Sequence, residues 1–85
     1  MQIEKILIEM SKITDRCSQL DWARSFRSLA DDLEECPEET MATLRAMYGG
    51  AGSLSDLVLY IEGVPDDEIN DRFDELRKVL FLLVR

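Results

Sequence analysis

The chain has no histidine at all, and only two cysteines, two prolines and four glycines among its 85 residues. Without histidine there is no Ser-His-Asp or Cys-His nucleophilic catalysis, no HExxH metalloprotease site and no Glu-x-x-His di-iron bundle. Cys17 and Cys36 are too few for a disulfide framework and, with no histidine beside them, too few for a zinc site. Both read as buried free thiols in a reducing compartment. Long apolar runs are missing too. "VLFLLV" at 79–84 spans six residues, against the roughly 20 that a membrane crossing needs. The opening "MQIEKILIEMSKI" has acids inside its apolar pattern and no small-residue cleavage site after it, so it predicts no signal peptide and a cytoplasmic protein.

Basic residues are also scarce. Ten Lys and Arg face eighteen Asp and Glu, a formal net charge of −8. The imbalance is local. Residues 1–30 carry five bases and four acids, net +1; residues 31–75 carry fourteen acids against Arg45 and Arg72, net −12; Arg77, Lys78 and Arg85 add +3 at the end. Such a field repels nucleic acid and anionic membrane, and it attracts a basic protein partner. An apolar content of 46% and a charged content of 33% are those of a folded chain. Residues 1–85 read as a single helical domain. A domain of this size buries only about 60–65% of the surface its unfolded chain exposes, leaving little interior for an enclosed active site.

Four helical patterns and one ambiguous segment follow one another. Ile3, Ile6, Leu7, Met10, Ile13 and Cys17 recur at three and four. The phase then shifts: Trp22, Phe26, Leu29 and Leu33 form a second stripe, and the first register would bury Arg24. The spacing predicts a break at 16–19, with Ser18 and Asp21 as a capping pair, and a second helix to about Glu35; one long bent helix is the alternative. Pro37 suits a first helical position, Glu38 and Glu39 suit the positive end of a helix dipole, and Met41, Leu44, Met47 and Tyr48 supply the third apolar face. Gly49 and Gly50 stop it. Residues 54–62 fit both periods: Leu54, Leu57, Val58 and Ile61 as a helix, or alternation through 57–61 as a strand. Ser53 with Asp56 resembles a cap, and a lone strand would lack a partner, so a short buried helix is predicted. Gly63 ends it. Pro65 opens a last helix with core stripe Ile69, Phe73, Leu76, Val79, Leu80 and Leu83. The fold predicted is all-α, a compact bundle of four or five helices.

Chemistry-bearing patterns are few. Cys36 precedes a helix start, but Glu34, Glu35, Glu38 and Glu39 oppose a thiolate there. "DDLEECPEE" has neither EF-hand spacing nor the loop glycine, so no metal site is assigned. "GGAGS" lacks the Lys of a Walker loop and the preceding strand of a dinucleotide fingerprint. Its glycines are read as a tight turn between packed segments. No cofactor and no catalytic residue is expected.

"YGGAGSLSDLVL" (Tyr48 to Leu59) resembles a family of small bacterial proteins of unassigned activity, with a core written Gly-Gly-x-Gly-Ser-apolar-x-Asp-Leu. Here that core falls on Gly49, Gly50, Gly52, Ser53, Leu54, Asp56 and Leu57; the pattern usually has methionine where this chain has Ala51. By size and charge the chain also resembles the immunity proteins of bacterial toxin systems. That resemblance implies a non-enzymatic protein that binds and neutralises a cognate toxin. The contact residues expected are Asp31, Asp32, Glu34, Glu35, Glu38 and Glu39, with Glu62, Asp66, Asp67, Glu68 and Asp71 as a second cluster. Trp22, Tyr48 and Tyr60 are candidate aromatic anchors. The alternative is a self-associating module, a homodimer through the apolar C-terminal helix.

Overall fold

A computed structural model describes residues 2–49 and 53–85. The chain is all-α in architecture: α1 (Gln2–Arg16), α2 (Leu20–Glu35), α3 (Pro37–Ala46) and α4 (Asp67–Val84), with one short hairpin of β1 (Tyr60–Ile61) and β2 (Val64–Pro65) before α4. Gly50, Ala51 and Gly52, including the second glycine expected to stop α3, lie outside the described residues.

The predicted break between the first two helices is present, but Ser18 has a different task. The Ser18 N–H donates to the Asp15 carbonyl (3.1 Å) and the Gln19 N–H to that of Thr14 (2.8 Å). Ser18 has φ +62°. These are the two bonds of a Schellman motif, with serine at the left-handed position that glycine usually takes. Ser18 therefore ends α1. Gln19, not Ser18, precedes α2, and no side-chain cap is formed there. α1 and α2 fold against each other as an antiparallel pair. Buried Ser11 and Thr14 donate to carbonyls of their own helix, Ile8 at 2.7 Å and Met10 at 2.8 Å, so neither leaves an unmet hydroxyl.

Phe26 and Phe73 meet edge-on at 6.2 Å in the core, with Leu7, Met10, Leu44, Leu54, Leu59, Leu80 and Val84 closed around them. In α4 the expected core residue Leu83 is instead exposed, and Val84 is buried. Cys17 is buried as expected; Cys36 is exposed at the α2–α3 corner, because it sits between two helix ends and outside both apolar stripes.

The short helix predicted for 54–62 is not formed. Leu54–Asp56 makes one 3-10 turn, and Ser53 before it makes no side-chain cap. The chain then runs extended, with Leu59 buried between exposed Val58 and Tyr60. The missing strand partner is only three residues away: Tyr60 pairs with Pro65 and Ile61 with Val64 across a two-residue turn. Glu62 (φ +52°) and Gly63 (φ +79°) supply the two left-handed positions that such a tight hairpin needs. Pro65 thus lies in an edge strand, where its missing N–H does no harm. Asp66 caps α4 in its place, its Oδ1 accepting the Ile69 N–H at 2.9 Å.

Candidate partner-binding surface

The first acidic cluster is a product of helix geometry. Asp31, Asp32, Glu34 and Glu35 end α2, and Glu38 and Glu39 begin α3 on the far side of Cys36. All six are exposed. Glu38 and Glu39 sit at the positive end of α3, which favours them. Asp32, Glu34 and Glu35 occupy the last turn of α2, which has no basic residue, and there the dipole opposes negative charge.

The second cluster surrounds the hairpin. Glu62 is at its tip, Asp67 and Glu68 are in the first turn of α4, and Asp71 follows one turn later. These four are exposed; Asp66 is half-buried and engaged as the α4 cap. None of the eleven carboxylates forms an ion pair among the described residues. The structure does not merge the clusters. The hairpin lies beside the start of α2, where Trp22 and Tyr60 line one groove. The first cluster is at the other end of that helix, roughly 20 Å away at 1.5 Å per residue.

The aromatic candidates also separate. Tyr48 is a structural residue. Its hydroxyl donates to the Arg77 carbonyl at 2.6 Å, its ring meets Phe81 edge-on at 5.1 Å, and burial pushes its phenol up to about 12 despite the opposing Arg77 charge. Trp22 is half-buried, stacked on Phe26 at 5.7 Å. Tyr60 is exposed. Trp22 and Tyr60, with Ser53, Asp56, Leu57 and Val58, line an open groove of about 330 Å³. A second open groove, about 570 Å³, runs between Tyr48 and the outer side of α4 at Lys78, Phe81 and Leu82.

Three polar residues that the helical patterns gave no reason to single out hold these surfaces in place. Asn70 reaches back from α4 to the extended segment. Its Oδ1 accepts the Leu59 N–H, and its Nδ2 donates to the Leu59 and Asp66 carbonyls, all at 2.8 Å. It thereby stands in for a neighbouring strand. Arg77 is mostly buried and donates through Nη1 to the Leu54, Ser55 and Leu57 carbonyls (2.9, 3.3 and 3.1 Å). Its Nη2 pairs with Asp74 at 2.7 Å, and its guanidinium lies 5.6 Å from the Phe73 ring centre. Arg77, and Lys78 after it, hold the Asp74 carboxyl below the usual carboxylate range. Arg45 donates to the Val84 carbonyl at 2.6 Å, satisfying the negative end of α4. On the opposite side, Arg72 grips Glu9 of α1 with two bonds of 2.6 and 2.9 Å. Among the described residues, no group of three or more His, Cys, Asp or Glu is placed to hold a metal ion. No described helix is long and apolar enough to cross a membrane.

Residues 15–66 match a family model described as a domain of unknown function (DUF6966). The chain belongs to that family. The DUF6966 segment runs from the last turn of α1 through α2, α3, the glycine-rich string and the hairpin to the cap of α4. It therefore contains all of the first acidic cluster, both aromatic residues of the Trp22–Tyr60 groove, and Glu62 and Asp66 of the second cluster. Neither the curated proteins nor the solved structures contain a match to the chain.

Proposed function

We propose that the protein is a non-enzymatic binding protein that docks an acidic surface onto a basic protein partner. The finer reading is an immunity protein: a cytoplasmic bacterial protein that binds and neutralises a cognate toxin. Toxins that act on nucleic acid carry basic clefts, and a carboxylate-rich helical corner complements such a cleft and speeds encounter with it.

One observation carries the reading. Asp32, Glu34 and Glu35 are exposed, unpaired among the described residues, and placed in the last turn of α2 where the helix dipole disfavours them. Local stability gives no reason for three carboxylates there, whereas a basic partner does. The second cluster carries less weight, since Asp66, Asp67 and Glu68 serve the start of their own helix. The test is to purify the native protein from its host, identify what accompanies it, and titrate the pair by calorimetry at two salt concentrations. The complex should weaken as salt rises. The combined variant Asp32→Asn, Glu34→Gln, Glu35→Gln should weaken it by about tenfold or more, at roughly 0.5 kcal/mol or more for each removed contact. Full affinity in that variant, or turnover of a substrate by the purified protein, ends the proposal.

A second reading, self-association through α4, is favoured by Phe81 and Leu82, which stand 41% and 61% exposed over the groove beside Tyr48. Light scattering separates the two. A homodimer of the isolated protein that Leu82→Glu dissociates supports this second reading; a monomer at high concentration refutes it.

A further inference from the structure

The Trp22–Tyr60 groove is left over from the acidic-corner reading, yet it is assembled by the string that contains Ser53, Leu54, Asp56 and Leu57. It is lined by the two aromatic residues together with Asp56, Leu57 and Val58. Its lining includes Ser53, whose hydroxyl oxygen is buried and has no hydrogen-bond partner among the described residues. No Lys or Arg lines it. The Arg77 guanidinium, which holds the 3-10 turn, is taken up by three carbonyls and Asp74. Exposed Glu62 and Asp67 lie on the adjoining hairpin tip and helix start.

Aromatic faces are negative at their centres and attract a cation, most strongly at tryptophan. A guanidinium has five donors and no acceptor, and its flat face stacks on aromatic rings. The groove offers two rings, a carboxylate and a negative surround. We propose that it receives an arginine side chain of the basic partner, stacked between Trp22 and Tyr60 with its N–H groups toward the Asp56 side of the groove. This rests on the reading that the partner is basic, and adds to it a defined anchor away from the acidic corner. Interface energy concentrates at such aromatic–arginine contacts.

Trp22 is the single tryptophan of the chain, so its fluorescence reports the groove directly. The probe is a short acetylated and amidated Gly-Arg repeat peptide, compared with the same peptide carrying citrulline, the neutral isostere, in place of arginine. Binding of the arginine peptide should change Trp22 emission, and the citrulline peptide should bind at least about fivefold more weakly, within the range of one cation–aromatic contact. Tyr60→Ser, at an exposed position, should weaken the arginine peptide to a similar extent, with Trp22→Leu checked by calorimetry as a second variant. Asp32→Asn, Glu34→Gln, Glu35→Gln should leave the emission change in place. If calorimetry shows binding that vanishes with the corner carboxylates while Trp22 emission and Tyr60→Ser do nothing, the anchor is refuted and the acidic-corner reading stands. If citrulline binds as well as arginine, the groove is merely apolar and the inference fails. If no peptide binds at all, the inference and the basic-partner reading fall together.

Discussion

Replacing Asn70 by aspartate changes one NH₂ group to an oxygen and leaves the shape of the side chain almost untouched. The orientation of the amide is fixed by its partners, since the Leu59 N–H can only donate and the Leu59 and Asp66 carbonyls can only accept. Asn70→Asp keeps the bond from the Leu59 N–H. It deletes both donated bonds and aims a carboxylate at two carbonyl oxygens. Two neutral hydrogen bonds contribute about 1 kcal/mol each; the Leu59 carbonyl keeps the Asp66 N–H (3.4 Å) and the Asp66 carbonyl keeps the Asn70 N–H (2.9 Å), so neither acceptor is stranded. The sum, about 2 kcal/mol, is a large part of the 5–15 kcal/mol typical of a whole domain. At about 4–8 °C per kcal/mol for this size, the melting temperature should fall by about 8–16 °C at neutral pH. Urea titration followed by far-ultraviolet circular dichroism measures the loss directly. The deficit should also depend on pH. The carbonyls disfavour the charged form, so the new carboxyl has a higher pKa folded than the roughly 3.9 it has unfolded. Between those values the folded state holds more protons, so the variant loses stability as pH rises through that window. Measured against the parent at each pH, the deficit should be smaller near about pH 4 than at about pH 7. A variant within about 1 kcal/mol of the parent at neutral pH, or one with the same deficit at both, would refute the strand-mimic role of Asn70.

Arg77→Met, which keeps the packing but removes the carbonyl and Asp74 bonds, should lose about 2–4 kcal/mol in urea titration; a loss under about 0.5 kcal/mol would show that the 3-10 turn stands without it. Ser18→Gly should raise stability by about 1 kcal/mol, because residue 18 sits at φ +62°; unchanged or lower stability would mean the left-handed serine carries no strain. Alkylation of the native protein followed by peptide mapping should modify exposed Cys36 and spare Cys17, whose thiol is buried and raised in pKa by that burial above the opposing pull of Arg16; equal labelling would contradict the packing of the α1–α2 turn. The folded state holds the Tyr48 phenol neutral up to about pH 12, so between about 10 and 12 it binds the extra proton and stability falls as pH rises. Tyr48→Phe should lack that component of the alkaline loss, and identical alkaline profiles would exclude it.

The helices were legible because their signals are local. Apolar residues at three and four, the phase shift after Leu20, and Pro37 with Glu38 and Glu39 state where α1, α2 and α3 run, and backbone hydrogen bonds within each helix need no distant partner. The acidic excess of residues 31–75 was equally visible, since charge is additive along the chain. Residues 54–66 were not legible. Their apolar pattern fits both periods, and the deciding groups lie elsewhere: a hairpin partner behind the uncommon Glu62–Gly63 turn, Asn70 on α4 clasping Leu59, and Arg77 collecting the carbonyls of the turn. Nor does the sequence tell that the two carboxylate clusters lie at different ends of α2, or that Trp22 and Tyr60, thirty-eight positions apart, share one groove. The sequence by itself determined the helices and the sign of the surface, through nearest-neighbour periodicity and summed charge. Only the tertiary structure decided the extended segment, the division of the acids and the groove, because each depends on contacts between residues far apart in the chain.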